Sequence, residues 1–328
     1  MSLFSIHRGD CLEWFRAMPA DSVDLVLGSP PYEAARTYGI GFKLRGQDWV
    51  DWMVEVFREA SRVCTGAIVM VLEGQTRQYK WSATPALLMA DLHRAGFNLR
   101  KPPAYCRVGI PGSGGPDWFR NDYEFCVCVT RPGKLLWSDK TACGHPPKWA
   151  PGGAMSHRLS NGSRVNQWGK TGTEQVNGSC NRLANGKKQK AGRPSHVMIT
   201  KAEKLALGAK SHTKNDGENM REQTYLPPVL ANPGNLIKCK VGGGLMGHPL
   251  TALNEAPYPL KLADFFVRSL CPPGGIVADP FSGSATTGHA AIESGRRYLG
   301  CDVRQSQVEL GLRRLAGITP TMFAEVPA

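Results

Sequence analysis

The sequence predicts an α/β fold in which a parallel-type sheet is covered by helices and interrupted by a basic insertion. Three observations carry this. Short apolar runs alternate with amphipathic helical patterns at both ends of the chain, a rhythm that builds parallel sheets. The texture changes over residues 136–245, where Gly, Asn, Ser, Lys and Thr replace periodic apolar runs. Neither flank alone has enough strands to enclose a core, so one sheet split by an insertion accounts for both.

Taken in order, Ser22–Gly28 reads as a buried strand and Asp48–Val63 (DWVDWMVEVFREASRV) as an amphipathic helix. Gly66–Leu72 is a second buried strand. A helix follows near Pro85–Arg94, with proline at the first-turn position. Tyr123–Thr130 (YEFCVCVT) is β-rich with a roughly alternating pattern. Beyond the insertion, Tyr258–Leu270 reads as a helix, Gly275–Asp279 as a strand, Ser284–Ser294 as a helix, Arg297–Asp302 as a strand and Arg304–Leu315 as a final helix. The expected division is 1–135, 136–245 and 246–328, the outer two ranges forming one domain.

At 328 residues with 41% apolar content the chain has ample core. Its formal charge of +13 and pI near 9.4 point to a polyanionic partner. Residues 140–225 hold fifteen Lys or Arg against five Asp or Glu, with Trp149 and Trp168 set among them. Charge interleaved with aromatics favours a nucleic-acid surface; a basic insert of no specific role is the alternative. The N-terminal residues show no apolar signal region and no stretch is long enough to span a bilayer, so the expected location is the cytoplasm. Ten cysteines without a repeating framework suggest reduced core thiols. Cys126 and Cys128 share one strand face, but no second Cys/His pair completes a four-ligand set, so no metal is expected.

Two short segments carry chemistry. Asp279-Pro280-Phe281-Ser282-Gly283-Ser284 joins a strand to a helix, a turn where a ligand can approach backbone and meet free N–H groups. Asp302 follows Asp279 by 23 positions, near the spacing at which a carboxylate meets ribose hydroxyls. The glycines are too few for a pyrophosphate cradle, which points to a nucleoside without phosphates. Ser29-Pro30-Pro31-Tyr32 ends the early strand, where open α/β sheets place their sites. Prolines lack an N–H and fix φ, so this backbone offers mainly acceptors. Ser29 Oγ and the Pro30 carbonyl can each accept one hydrogen of a planar exocyclic amine, aiming its lone pair at an electrophile, while Tyr32 stacks on the ring.

SPPY at 29–32 and DPFSGSATT at 279–287 resemble the two motifs of the amino-group DNA methyltransferases that use S-adenosylmethionine. Supporting matches are Gly9-Asp10, Arg36-Thr37-Tyr38-Gly39 and the segment HPLTALNEAPYPLKLADFFVRSL. The motif order is similar to that of the β group, and the resemblance covers 1–135 and 245–317. It implies a three-layer, doubly wound, mostly parallel, seven-stranded Rossmann-like sheet with circularly permuted motif order and a target-recognition insertion. It implies that Asp279, Phe281 and Gly283 surround the donor's methionine portion, with Pro280, Ser284 and Thr286 beside them. It gives Asp302 the ribose, Asp10 the adenine amine and Pro257 a place in the pocket wall. Ala285 stands where the family has its second glycine; a methyl there crowds the backbone approach, so donor binding is expected to weaken.

Serine at the first motif position leans towards cytosine N(4) over adenine N(6), its hydroxyl being able to donate to the ring nitrogen as well. Related sites acting on glutamine amides or RNA guanine begin with Asn, and a non-catalytic DNA-binding protein would not need both motifs. Double-stranded DNA is the implied partner, its target base rotated out of the stack. The candidate DNA contacts are Arg36, Lys148, Arg158, Arg164, Lys170, Lys187 and Lys188. A separate restriction endonuclease acting on the same site is a candidate second partner.

Overall fold

A computed structural model describes residues 2–33, 41–110, 114–115, 117–146, 210–215, 220–225, 229–241, 246–254 and 256–319. Two compact units result: Met1–Cys143 with Pro233–Ala328, and Gly144–Asn232.

The first unit opens with β1 (Phe4–Arg8), α1 (Cys11–Ala17), β2 (Val23–Gly28), α2 (Gly46–Val63) and β3 (Cys64–Leu72). A small hairpin, β4 (Thr76–Arg77) and β5 (Lys80–Trp81), precedes α3 (Thr84–Arg94). Then come β6 (Asn98–Arg100), β7 (Ala104–Val108) and β8 (Tyr123–Thr130). The second unit contributes the antiparallel pair β9 (Lys210–Asn215) and β10 (Met220–Tyr225). The chain re-enters the first unit with β11 (Leu236–Lys240), a 3-10 turn at Pro249–Leu253, α4 (Leu260–Leu270), β12 (Ile276–Asp279), α5 (Thr286–Glu293), β13 (Arg297–Asp302) and α6 (Gln305–Ala316).

Nine strands form one sheet in the order β1-β13-β12-β2-β3-β8-β7-β11, with β6 also on β8. From β1 to β3 every pairing is parallel, and β8 alone runs against its neighbours. The expected seven strands are therefore corrected to nine. The surplus lies at the far edge, where β6 and β7 are too short to give a period and β11 sits in basic sequence. That last strand, LIKCK, falls inside the range 136–245 read as insertion, yet it pairs in parallel with β7 and buries Ile237 and Cys239. One sheet shared by both flanks is what the alternating texture predicts.

Strand periodicity divides the core into two faces. Leu25, Leu27, Val69 and Val71 pack with Leu262, Phe266 and Val267 of α4 and with Ala290 and Ala291 of α5. Val26, Ile68, Met70 and Leu72 face the other way, onto Phe15 of α1, Trp49, Met53 and Phe57 of α2 and Leu88 of α3. Helices thus cover both sides, giving three layers. No helix among the described residues is long and apolar enough to cross a membrane.

Candidate active site

The topology brings the two motifs together. β2 and β12 are neighbours in parallel register, Val277 opposite Leu25 and Ala278 opposite Val26, so SPPY and DPFSG leave the sheet side by side at its carboxyl edge. The approach is close: a Cβ on Gly28 would lie 2.8 Å from Asp279 Oδ1, so only glycine fits.

Between them lies a cavity of about 300 Å³. Ser29, Pro30, Pro31 and Tyr32 line one part, and Pro280, Phe281, Gly283, Thr286 and Asp302 another, with Asp10 and Pro257 at its wall. Eleven of the thirteen residues expected here therefore reach one space. The other two, Asp279 and Ser284, do not line it. Asp279 is buried beneath the turn, where its carboxylate accepts from the Phe281 N–H at 2.9 Å and from Thr287 Oγ1 at 2.6 Å. Burial pushes its carboxyl up to about 7. It ties the turn together. Ser284 faces α6, whose Arg314 donates to its carbonyl at 3.0 Å.

On the SPPY side, the hydroxyls and the second proline's carbonyl have defined partners. The Ser29 hydroxyl donates to the Val71 carbonyl at 3.0 Å, which uses its one hydrogen and leaves its lone pairs to accept. Ser29 thus has no hydrogen left for a ring nitrogen, which corrects that part of the sequence argument. Trp49 Nε1 donates to the Pro31 carbonyl at 2.9 Å, fixing the Pro-Pro backbone to α2. The Tyr32 hydroxyl reaches Glu124 Oε2 at 2.8 Å, and Glu124 is paired with Arg107 at 3.3 Å.

On the other side, Gly283 has φ +49 and a Cβ there would lie 2.8 Å from Asn254 Nδ2. Its N–H donates to Asp302 Oδ2 at 2.9 Å, while Asp302 Oδ1 accepts from the Arg304 N–H at 2.9 Å. Asp10 caps α1, accepting from Leu12 and Glu13 through Oδ1. Ala285 adopts φ 56, a left-handed conformation that costs an L-residue about 1–2 kcal/mol. Its methyl is buried against the Gly311 face of α6 and does not line the cavity, so the crowding expected from sequence is absent.

Several contributors were not foreseen. Phe42, Leu44, Trp52, Asn254 and Tyr258 complete the lining. Trp52 packs on Phe281 with centroids 5.7 Å apart, joining α2 to the late turn. The helical period marked Trp49 and Trp52 as core-facing but could not say what they would meet. Arg314 is buried beneath the turn, donating to Thr286 Oγ1 at 2.9 Å and contacting His289 Nδ1 at 3.1 Å. Burial lowers it to about 10, so it stays charged near neutrality. The expected DNA contacts Arg36, Lys148, Arg158, Arg164, Lys170, Lys187 and Lys188 all lie outside the described residues.

A cavity with glycine-walled backbone, an acid on the next strand and an acceptor-rich proline turn fits a nucleoside-bearing cofactor beside a planar amine. Comparison with known proteins agrees. A family model described as DNA methylase (N6_N4_Mtase) matches residues 23–313. The chain is 23% identical over 316 residues to the DNA adenine methyltransferase YhdJ of Escherichia coli K12, covering 95% of this chain and 82% of that one. It is 24% identical over 330 residues to the type II methyltransferase M.Cfr9I of Citrobacter freundii, covering 95% and 88%. Among solved structures, the cytosine-N4-specific PvuII DNA methyltransferase superposes with a TM-score of 0.60 at 17% identity, over 97% of this chain and 89% of that one. The DNA modification methylase TTHA0409 from Thermus thermophilus, solved with S-adenosyl-L-methionine, gives 0.52 at 20% identity, over 95% and 93%. The chain belongs to the N6/N4 DNA methylase family, and its methyl donor is S-adenosylmethionine.

Proposed function

We propose that this enzyme is a site-specific methyltransferase acting on the exocyclic N(4) amine of a cytosine rotated out of double-stranded DNA. One observation carries the reading: Ser29 and Gly283, 254 positions apart in sequence, line one cavity. When bound, S-adenosylmethionine supplies an electrophilic methyl group on a sulfonium. Gly283, Asp302, Asp10, Phe281 and Pro257 are the residues that would hold it, with Asp279 and Ser284 supporting the turn from below.

Ser29 Oγ, its hydrogen committed to Val71, acts as an acceptor, and the Pro30 carbonyl is the second. Together they take the two amine hydrogens and turn the nitrogen lone pair out of ring conjugation. Tyr32 lies under the base, held by Glu124. The amine needs no prior deprotonation, because the methylated cation loses its proton readily. Rate enhancement is alignment plus oriented dipoles.

Serine at the first motif position supports cytosine, as does the cytosine-N4-specific name of the PvuII enzyme. Adenine N(6) is the second reading, favoured by the name of the YhdJ relative. We place the basic unit 144–232 on the DNA as the target reader, the enzyme in the cytoplasm, and a restriction endonuclease cutting the same sequence as its candidate partner. Nucleosides from DNA methylated by the purified enzyme, separated and weighed, test the base: N(4)-methylcytosine is expected, and N(6)-methyladenine alone overturns the choice.

A further inference from the structure

The small hairpin after β3 is built in a way that its own packing does not explain. Thr76 pairs with Trp81 and Arg77 with Lys80, leaving Gln78-Tyr79 as a two-residue turn. Both turn residues have positive φ, 47 and 63, where such turns ordinarily use Asn-Gly. A bulky residue held there is strained, and strain of this kind collects at functional positions. Tyr79 is 81% exposed, so packing of the ring at the tip does little to offset the strain. Arg77 and Lys80, directly opposite each other, are exposed cations on either side of that ring, placed to meet an anion together.

The base of the hairpin, by contrast, is fixed. Trp81 Nε1 donates to Glu73 Oε1 at 3.0 Å, its ring stacks on Phe125 with centroids 6.2 Å apart, and Ser82 N–H donates to the Gln75 carbonyl at 2.9 Å. The hairpin also leaves the sheet beside the site. It follows the end of β3, whose Val71 carbonyl holds Ser29. Seven residues separate Leu72 from Tyr79, so the tip stays within about 25 Å of that strand end.

We propose that this hairpin is a DNA-contacting finger: Tyr79 stacks into the duplex beside the target nucleotide while Arg77 and Lys80 hold flanking phosphates. The assignment rests on the DNA reading above and adds a contact surface within the catalytic unit, separate from the basic unit 144–232. A ring entering the stack suits an enzyme that must empty it, because the inserted side chain compensates the lost base stacking.

The test is fluorescence anisotropy on a labelled 30-base-pair duplex of mixed sequence, across 50–200 mM salt, with S-adenosylmethionine affinity measured in parallel. Tyr79→Gly is expected to melt no lower than the parent, since glycine suits the turn, yet to bind the duplex about tenfold more weakly. Tyr79→Phe keeps duplex affinity within twofold. The pair Arg77→Gln with Lys80→Gln lowers the slope of log affinity against log salt by about two. Should Tyr79→Gly also lose the cofactor, the charge pair decides, because its backbone is unaltered. Variants that bind with parental affinity and slope overturn the finger alone. A parent chain that binds no duplex ends the DNA reading and the finger with it.

Discussion

The Ser29 hydroxyl donates to the carbonyl of Val71 across 3.0 Å, from the end of β2 to the end of β3. This bond decides the polarity of the proposed catalytic atom. Removing the oxygen with Ser29→Ala is expected to slow methyl transfer about a hundredfold, the cost of losing one oriented group at a reacting centre. Donor affinity, measured by calorimetry, should stay within twofold. Ser29→Asp sets a carboxylate against the Val71 carbonyl with no hydrogen between them, so it should not restore transfer in single-turnover assays.

Trp49 supports the same turn from the helix below. Trp49→Phe keeps an aromatic ring in the core but strips the Pro31 carbonyl of its donor, 2.9 Å away. An unsatisfied buried acceptor costs about 1–3 kcal/mol. Chemical denaturation should show that loss, together with a fall in turnover larger than the fall in donor affinity, because the proline turn and not the glycine turn has been loosened.

Asp279 gives stability a dependence on pH. Its carboxyl titrates near 7 when folded, against 3.8 for the ordinary group, because burial disfavours the anion. Between those values the folded chain holds a proton that the unfolded chain has released. Stability from this group is therefore full below about pH 4 and declines as pH rises towards 7. Asp279→Asn, which cannot ionise, should flatten the stability profile in that window; an unchanged slope would refute the assignment.

Ala285 and Gly311 form a coupled pair. A Cβ on Gly311 would lie 3.2 Å from the Ala285 methyl and 2.6 Å from Ile6 Cδ1. Gly311→Ala, normally favourable by about 1 kcal/mol in a helix, should instead destabilise. Adding Ala285→Gly opens the space and relieves the left-handed strain, so the double variant should recover stability. Melting of all four proteins in a double-mutant cycle measures the coupling, and additive effects would count against it.

What the sequence revealed and concealed follows from what periodicity can carry. Tyr123–Thr130 and Arg297–Asp302 were read with their observed limits because each is an apolar-rich strand with clear breakers at its ends. Phe4–Arg8 and Leu236–Lys240 escaped notice, five residues each, the latter with lysines on its exposed face. Motif spacing located the turn at 279–284 but not the direction of each side chain. Asp279 was assigned to the ligand and is instead spent on Thr287 and Phe281, a choice set by the 2.8 Å gap beside Gly28. Likewise nothing local announced Glu124 behind Tyr32, since the pair meets only when β8 is laid against β3 in reverse.

The first strand of the chain lies beside the last, β1 against β13 in parallel register from Phe4 opposite Tyr298 to Arg8 opposite Asp302. Beginning and end are thus stitched into adjacent rows of one fabric. A gene recut elsewhere, with its old extremities spliced through a suitable tether, would preserve every strand neighbour. The sequence in which a ribosome meets the two halves of the site is consequently a matter of genetic layout, and the sheet itself is indifferent to it.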